Sequence, residues 1–167
     1  HPCQRPALVD NKNLELCWMF SELIKFVRHS PYEEMIKTDG QANAQRLTAY
    51  ARVRAVLRAW PVRITPNNVY QLEHVNMVGP QSLAKIKEAL EDVEGFQQGK
   101  PVCSKLHDFY HSDQEEFRTA RGIKELVKVH GVGRALATKW FREYNISTVE
   151  DAQLLIEQGK KAIRDDY

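Results

Sequence analysis

Apolar residues recur at helical intervals along most of this chain and form no convincing alternating run of strand length. Leu16, Phe20, Leu23, Ile24 and Val27 fall on one stripe and predict a helix over 13–29. Pro31 and Asp39-Gly40 bracket a short helix at 32–37. A longer helix is expected over 41–60, with Leu47, Tyr50, Val53, Leu57 and Trp60 inward and the arginines outward. Pro61 ends it, because proline disfavours helical geometry in the residue before it and has no N–H to donate. Asn67 and Asn68 are placed to cap a short helix, and Pro80 suits the first turn of a helix over 81–90. Helices follow near 103–110, 115–128 and 134–144, with a last one capped by Thr148. The expected fold class is all-α.

Residues 1–12 show little periodicity and read as a tail. The stretch 95–101, with Gly, Gln and Pro and little to bury, reads as the boundary between helical units at 13–99 and 100–167.

The helical rhythm is interrupted twice in the same way. One stretch reads Leu72-Glu-His-Val75-Asn-Met-Val78-Gly79-Pro80-Gln-Ser-Leu83-Ala84-Lys85-Ile86. The other reads Leu126-Val-Lys-Val129-His-Gly131-Val132-Gly133-Arg134-Ala-Leu136-Ala137-Thr-Lys-Trp140. Apolar residues lead into an apolar-Gly turn, and a second apolar run at helical spacing follows. That is the grammar of a helix-hairpin-helix unit, one in each expected half of the chain. Glycine lets a hairpin backbone take conformations that a side chain forbids and approach a ligand closely. The helix that follows begins with amide N–H groups that are unsatisfied and weakly positive, where a phosphate can sit without any base being read. Either stretch alone reads equally as a tight turn between packed helices; the repetition favours a protein that grips a nucleic-acid backbone at two places. The second copy is complete, whereas Met77 stands where the first glycine of the motif belongs.

At 167 residues and 43% apolar content the chain can form one domain or two small ones. No apolar run approaches the roughly 18 residues that span a bilayer, so no membrane partner is expected. The chain starts at His1, so the lack of a visible secretory signal excludes nothing. Three cysteines (Cys3, Cys17, Cys103) form no Cys-x-x-Cys pair and favour a reducing, intracellular compartment. Net charge is only +2, but between positions 46 and 63 there are five arginines and no acid, while acids gather at 88–94 and 113–116. A basic face on a nearly neutral protein suits phosphate contact at one surface. Cys103, His107 and His111 share a helix face and are zinc-ligand types, but a closed structural site wants four ligands and no fourth is apparent.

The stretch Thr48-Ala-Tyr50-Ala-Arg-Val-Arg-Ala-Val-Leu-Arg-Ala-Trp60-Pro61, the first hairpin with Ala84-Lys85-Ile86, His130-Gly131-Val132-Gly133 and Ile146-Ser-Thr148-Val-Glu-Asp151 follow one another as in the amino-terminal part of the X family of DNA polymerases. The chain resembles that family from about residue 13 to its end. The resemblance implies a lyase domain at 13–99 followed by a DNA-binding subdomain at 100–167. The family's lyase removes the 5′-deoxyribose phosphate left after incision at an abasic site, during base excision repair. A lysine forms a Schiff base with the open-chain sugar, and β-elimination releases it; the aligned lysine is Lys85. An attacking amine must be neutral, and a lysine at the edge of an apolar stripe beside other cations loses its proton more readily. Lys87, one residue past the apolar position, is expected to face solvent.

In the family's 5′-phosphate pocket a His-Lys pair, a tyrosine and a lysine four before the nucleophile contribute. Here these positions read Gln45-Arg46, Tyr50 and Gln81, the acid beside the nucleophile is Ala84, and Lys105 is a further basic candidate. Arg46 can bind phosphate bidentately, while the neutral replacements weaken the expected grip. The resemblance also implies phosphate contacts at Gly79, Gly131, Gly133 and Arg134. It implies a monovalent cation, K⁺ or Na⁺, held at each hairpin by main-chain carbonyls: Glu73, Val75 and Val78 in the first, Val127, Val129 and Val132 in the second. Nucleotidyl transfer and its Mg²⁺ belong to a palm domain that follows the matched region, where this chain stops, so polymerisation is not expected of it. Gapped or nicked DNA is the implied partner, with a monomer in the nucleus or mitochondrion and other repair proteins as possible companions. The rival expectation is a non-catalytic DNA- or RNA-binding scaffold that kept the hairpins and lost the pocket.

Overall fold

A computed structural model describes residues 10–29 and 40–157, and every regular element among them is helical. The α-helices are α1 (Leu14–Arg28), α2 (Gly40–Ala59), α3 (Pro80–Glu91), α4 (Val93–Gln97), α5 (Ser104–His111), α6 (Glu115–Leu126), α7 (Arg134–Tyr144) and α8 (Val149–Glu157), with a 3₁₀ helix at Val69–His74 before α3. The protein is all-α. The short helix expected at 32–37, most of the expected tail, and Cys3 lie outside the described residues.

Of the described residues, those within His1–Ile24 and Thr48–Leu106 form one compact unit, and those within Lys25–Leu47 and His107–Tyr167 a second. In the first unit, Leu16, Phe20 and Leu23 of α1 and Tyr50, Val53 and Leu57 of α2 are buried, as their spacing requires of core-facing stripes. Arg46, Arg52 and Arg58 of α2 are exposed and Arg54 is half-buried, so the helix carries its cations away from the core. Asn13, buried just before α1, accepts the Ile64 N–H (2.8 Å) and donates to the carbonyls of Val62 (3.0 Å) and Leu57 (3.4 Å). One amide thus meets three backbone groups where the chain turns after α2, among them the buried Ile64 N–H, which would otherwise lack a partner.

Asn68 precedes the 3₁₀ helix, but its side chain does not cap it. It turns back instead, accepting from Thr65 N–H (2.8 Å) and donating to the Arg63 carbonyl (2.9 Å), because those groups follow the break at Pro61 and lack a helical ladder. The stretch 95–101 lies within the first unit. It includes the end of α4, and the Asp92 carboxylate ties it down by accepting from Gly95 N–H (3.1 Å) and Val102 N–H (2.9 Å). Composition does not reveal such a tether.

The second unit has its core in Ile123, Leu126, Val132, Ala137, Trp140, Ile146 and Ala152, drawn from α6, α7, α8 and the turns between them. Phe26 stacks on Phe109 (centroids 4.8 Å apart), and Phe109 meets Phe117 edge-on (5.1 Å). Asn145 closes α7 in the left-handed conformation (φ 53°), a role its short polar side chain tolerates. Thr148 Oγ1 accepts the Asp151 N–H at 3.1 Å, the cap expected for the last helix. Among the described residues no helix is long and apolar enough to cross a membrane.

Candidate nucleic-acid interface and lysine site

The two glycine-bearing stretches adopt turns with matching hydrogen bonds. In the first unit, the Val75 carbonyl accepts Val78 N–H (3.0 Å), and the Gly79 carbonyl accepts Leu83 N–H (2.9 Å) to start α3. In the second, the Val129 carbonyl accepts Val132 N–H (3.1 Å), and the Gly133 carbonyl accepts Ala137 N–H (3.0 Å) to start α7. Val78 and Val132 are the buried anchors of the two turns. Gly79 (φ −76°, ψ 167°) and Gly133 (φ −88°, ψ 178°) occupy the N-cap position, and neither helix start has a side-chain cap.

Glycine's conformational freedom is required at only one of these positions. Gly131 has φ 82°, in the region that favours glycine. Gly79 and Gly133 are extended, a conformation any residue adopts, and a Cβ at either would meet nothing within 4 Å. The expectation that glycine at 79 and 133 supplies a forbidden backbone conformation is therefore corrected: what it provides there is open space over the first amides of a helix. Met77, more than half exposed, does not take positive φ, so the first turn follows a different path at the position matching Gly131.

The carbonyls proposed as cation ligands belong to these same turns. Those of Val75 and Val129 each accept one N–H, and a carbonyl oxygen keeps a second lone pair. The groups at Glu73, Val75 and Val78, and at Val127, Val129 and Val132, are neutral oxygens of the kind a hard monovalent ion accepts. Arg134 opens α7 half-buried, with Nη1 donating to the carbonyl of Arg28 at the end of α1. Burial, and after it the charges of Lys124 and Arg134, push the His29 imidazole below its ordinary pKa.

The lysine site lies in the first unit. Lys85 is half-buried on α3, and its Nζ stands 5.8 Å from the centroid of the buried Tyr50 ring on α2, within cation–π range. The Tyr50 ring is itself met edge-on by Phe20 (5.8 Å). Glu88, one turn after Lys85, accepts the main-chain N–H of Ser104 (2.6 Å) at the first turn of α5. Hydrogen bonds from Ser104 and then the charge of Lys85 hold the Glu88 carboxyl below its usual range. Burial pushes the Cys103 thiol up, against the opposing pull of Lys85. Lys85 thus stands over an aromatic face, and its charge acts on the Glu88 carboxyl and the Cys103 thiol.

Not all of the expected pocket residues are gathered into cover. Lys105 is half-buried on α5, whereas Gln45, Arg46, Gln81 and Ala84 are exposed. Lys87 is exposed and pairs with Glu73 at 3.6 Å. Glu88 is the residue that sequence reasoning passed over, although its i,i+3 spacing from Lys85 places both on one helix face. His107 and His111 have ring centroids 4.7 Å apart on α5, and among the described residues no group of three or more His, Cys, Asp or Glu side chains is arranged to hold a metal ion.

Compared with known proteins, the chain matches no family model and no curated sequence.

Proposed function

We propose that this chain is the amino-terminal lyase and DNA-binding part of a DNA polymerase beta-like repair enzyme of the X family. In this reading it binds gapped or nicked DNA by backbone phosphates and removes 5′-deoxyribose phosphate at Lys85. The observation that carries the proposal is the meeting of Lys85 with Tyr50, two residues from distant parts of the chain that the resemblance assigns to one pocket. A half-buried amine attacks the sugar aldehyde once neutral, and the resulting imine acidifies the adjacent C–H. In this reading Glu88, held ionised by hydrogen bonds from Ser104 and by the charge of Lys85, would accept that proton in the elimination, in place of the acid that Ala84 lacks. The open helix starts at Gly79 and Gly133 support phosphate contact, and the turn carbonyls would hold the K⁺ or Na⁺ that helps neutralise a phosphate there. Gap filling, with its Mg²⁺, would be the work of a palm domain beyond the matched region, and residence in the nucleus or mitochondrion follows only if this reading holds.

Borohydride reduction on DNA bearing a 5′-deoxyribose phosphate tests the reading. Wild-type protein is expected to give a covalent adduct, Lys85→Ala to lose it, and Lys87→Ala to keep most of it. An undiminished adduct in Lys85→Ala moves the nucleophile elsewhere. The exposed, neutral Gln81 and Ala84 favour one second reading, a binding scaffold without catalysis. Wild-type protein that binds gapped DNA yet gives no adduct would establish it.

A further inference from the structure

A cleft of about 440 Å³ opens in the first unit beside α1 and α2, lined by Asn11, Cys17, Trp18, Ser21, Arg54 and Arg58, with the exposed Leu14 at its edge. Its size falls within the range of small-ligand sites. We propose that it binds a nucleoside phosphate, with the two guanidinium groups on the phosphate and the Trp18 ring against the base. It shares no lining residue with the Lys85 cluster, and the proposal does not depend on the lyase reading.

Three observations converge on this ligand. Arg54 and Arg58 are four residues apart on one helix face, where like charges repel and weaken the helix slightly. A purely structural arginine pair would be offset by acids, yet no carboxylate lines the cleft, and among the described residues neither arginine is ion-paired. Glu15, the nearby acid of α1, is engaged by Arg63 at 3.3 Å. Uncompensated guanidinium groups at a concave surface suit a phosphate, which they bind through paired N–H donors.

Arg54 is held in place as well as charged. Its Nη1 donates to Ser21 Oγ (3.2 Å), and that hydroxyl donates to the Cys17 carbonyl (2.9 Å), so the side chain loses little freedom when an anion arrives. The wall beside it is neutral: Asn11 Nδ2 donates to Cys17 Sγ (3.6 Å), and burial keeps Cys17 a thiol despite the neighbouring arginines. The rest of the lining is apolar and aromatic, from the half-buried Trp18 and the exposed Leu14. Two cations of α2 and an indole of α1 lining one cleft match a ligand with an anionic end and a flat ring, which is the chemistry of a nucleotide, whether free or unpaired within a DNA strand.

Calorimetric titration of the whole chain tests this with deoxyadenosine 5′-monophosphate, deoxyadenosine, inorganic phosphate and a short single-stranded oligodeoxyadenylate. The monophosphate is expected to bind more tightly than the nucleoside or phosphate alone. Arg58→Ala and Trp18→Leu should each weaken it by about tenfold, the loss of one charge-assisted or stacking contact. Helical circular dichroism should be retained, since Arg58 is exposed. An oligonucleotide that binds well above the monophosphate, and loses that advantage in Arg58→Ala, identifies a strand nucleotide as the source; comparable affinities identify a free nucleotide. Absence of binding by both monophosphate and oligonucleotide, or affinity unchanged in both variants, overturns the proposal. The monophosphate titration reads no Schiff base and no contact of Lys85, so this test and the borohydride test fail independently.

Discussion

Asn13 anchors the backbone after α2 through three hydrogen bonds, and nothing in its sequence context announces that role. Asn13→Ala leaves the buried Ile64 N–H without its partner, at a cost of about 1–3 kcal/mol, whereas Val62 is an exposed residue. Urea unfolding of this variant should show a loss of about 1–3 kcal/mol, and an unchanged midpoint would show that the amide is not needed there. Glu88 gives a pH signature. Its carboxyl is held below the usual 4.5, so its contribution to stability is complete above that value and disappears as pH falls through the folded-state pKa. Thermal melts of Glu88→Gln should lie below wild type at neutral pH and converge with it in acid. A constant gap would mean that the charge on Glu88 does not matter. Both residues act through partners distant in sequence, which is why periodicity exposed neither.

At the level of elements, the helices were legible because each packs one stripe against its unit, and a 3.6-residue rhythm records that directly. The turns were only half legible. Their matching hydrogen bonds at Val75–Val78 and Val129–Val132 follow the matching residues, but the separate tasks of Gly131 and Gly133 emerge from φ alone. Gly131→Ala must place a Cβ at φ 82° and should lose about 1–2 kcal/mol. Gly133→Ser has room for its side chain and gains an N-cap acceptor, so its stability should hold or rise by a few tenths of a kcal/mol. Chemical denaturation of the two variants checks the contrast, and equal losses would show that position 133 also constrains the turn. The 3₁₀ character of Val69–His74 was not legible, since six residues are too few for periodicity to separate helix types.

For the whole molecule, composition suggested one cut near 95–101, whereas each compact unit combines two separate stretches of chain. Residues of α1 and of α2 contribute to both, and no local pattern can report a partition made by contacts between remote segments. Charge is more informative at this scale. If the chain binds DNA as proposed, its clustered arginines on a nearly neutral protein should make the affinity depend on salt. Under the phosphate reading, Gly133→Val weakens binding equally on unrelated duplex sequences and flattens the plot of log affinity against log potassium concentration. Because a Cβ there meets no protein atom, the variant should still fold, with the modest loss expected of an apolar residue at a helix N-cap. A sequence-selective loss would indicate base readout, and an unchanged slope would leave this turn without a phosphate.

The open space at Gly79 and Gly133 also makes the chain easy to instrument. A cysteine introduced at either position has open room for its Cβ and offers a handle for a fluorophore or crosslinker. The native thiols offer little competition, since Cys103 is buried, Cys17 is half-buried, both have raised pKa values, and Cys3 can be replaced by serine. Labelling rates at the two positions, read with and without nucleic acid, would map each helix start separately, giving a footprint at single-residue resolution from two N-cap positions with open space beside them.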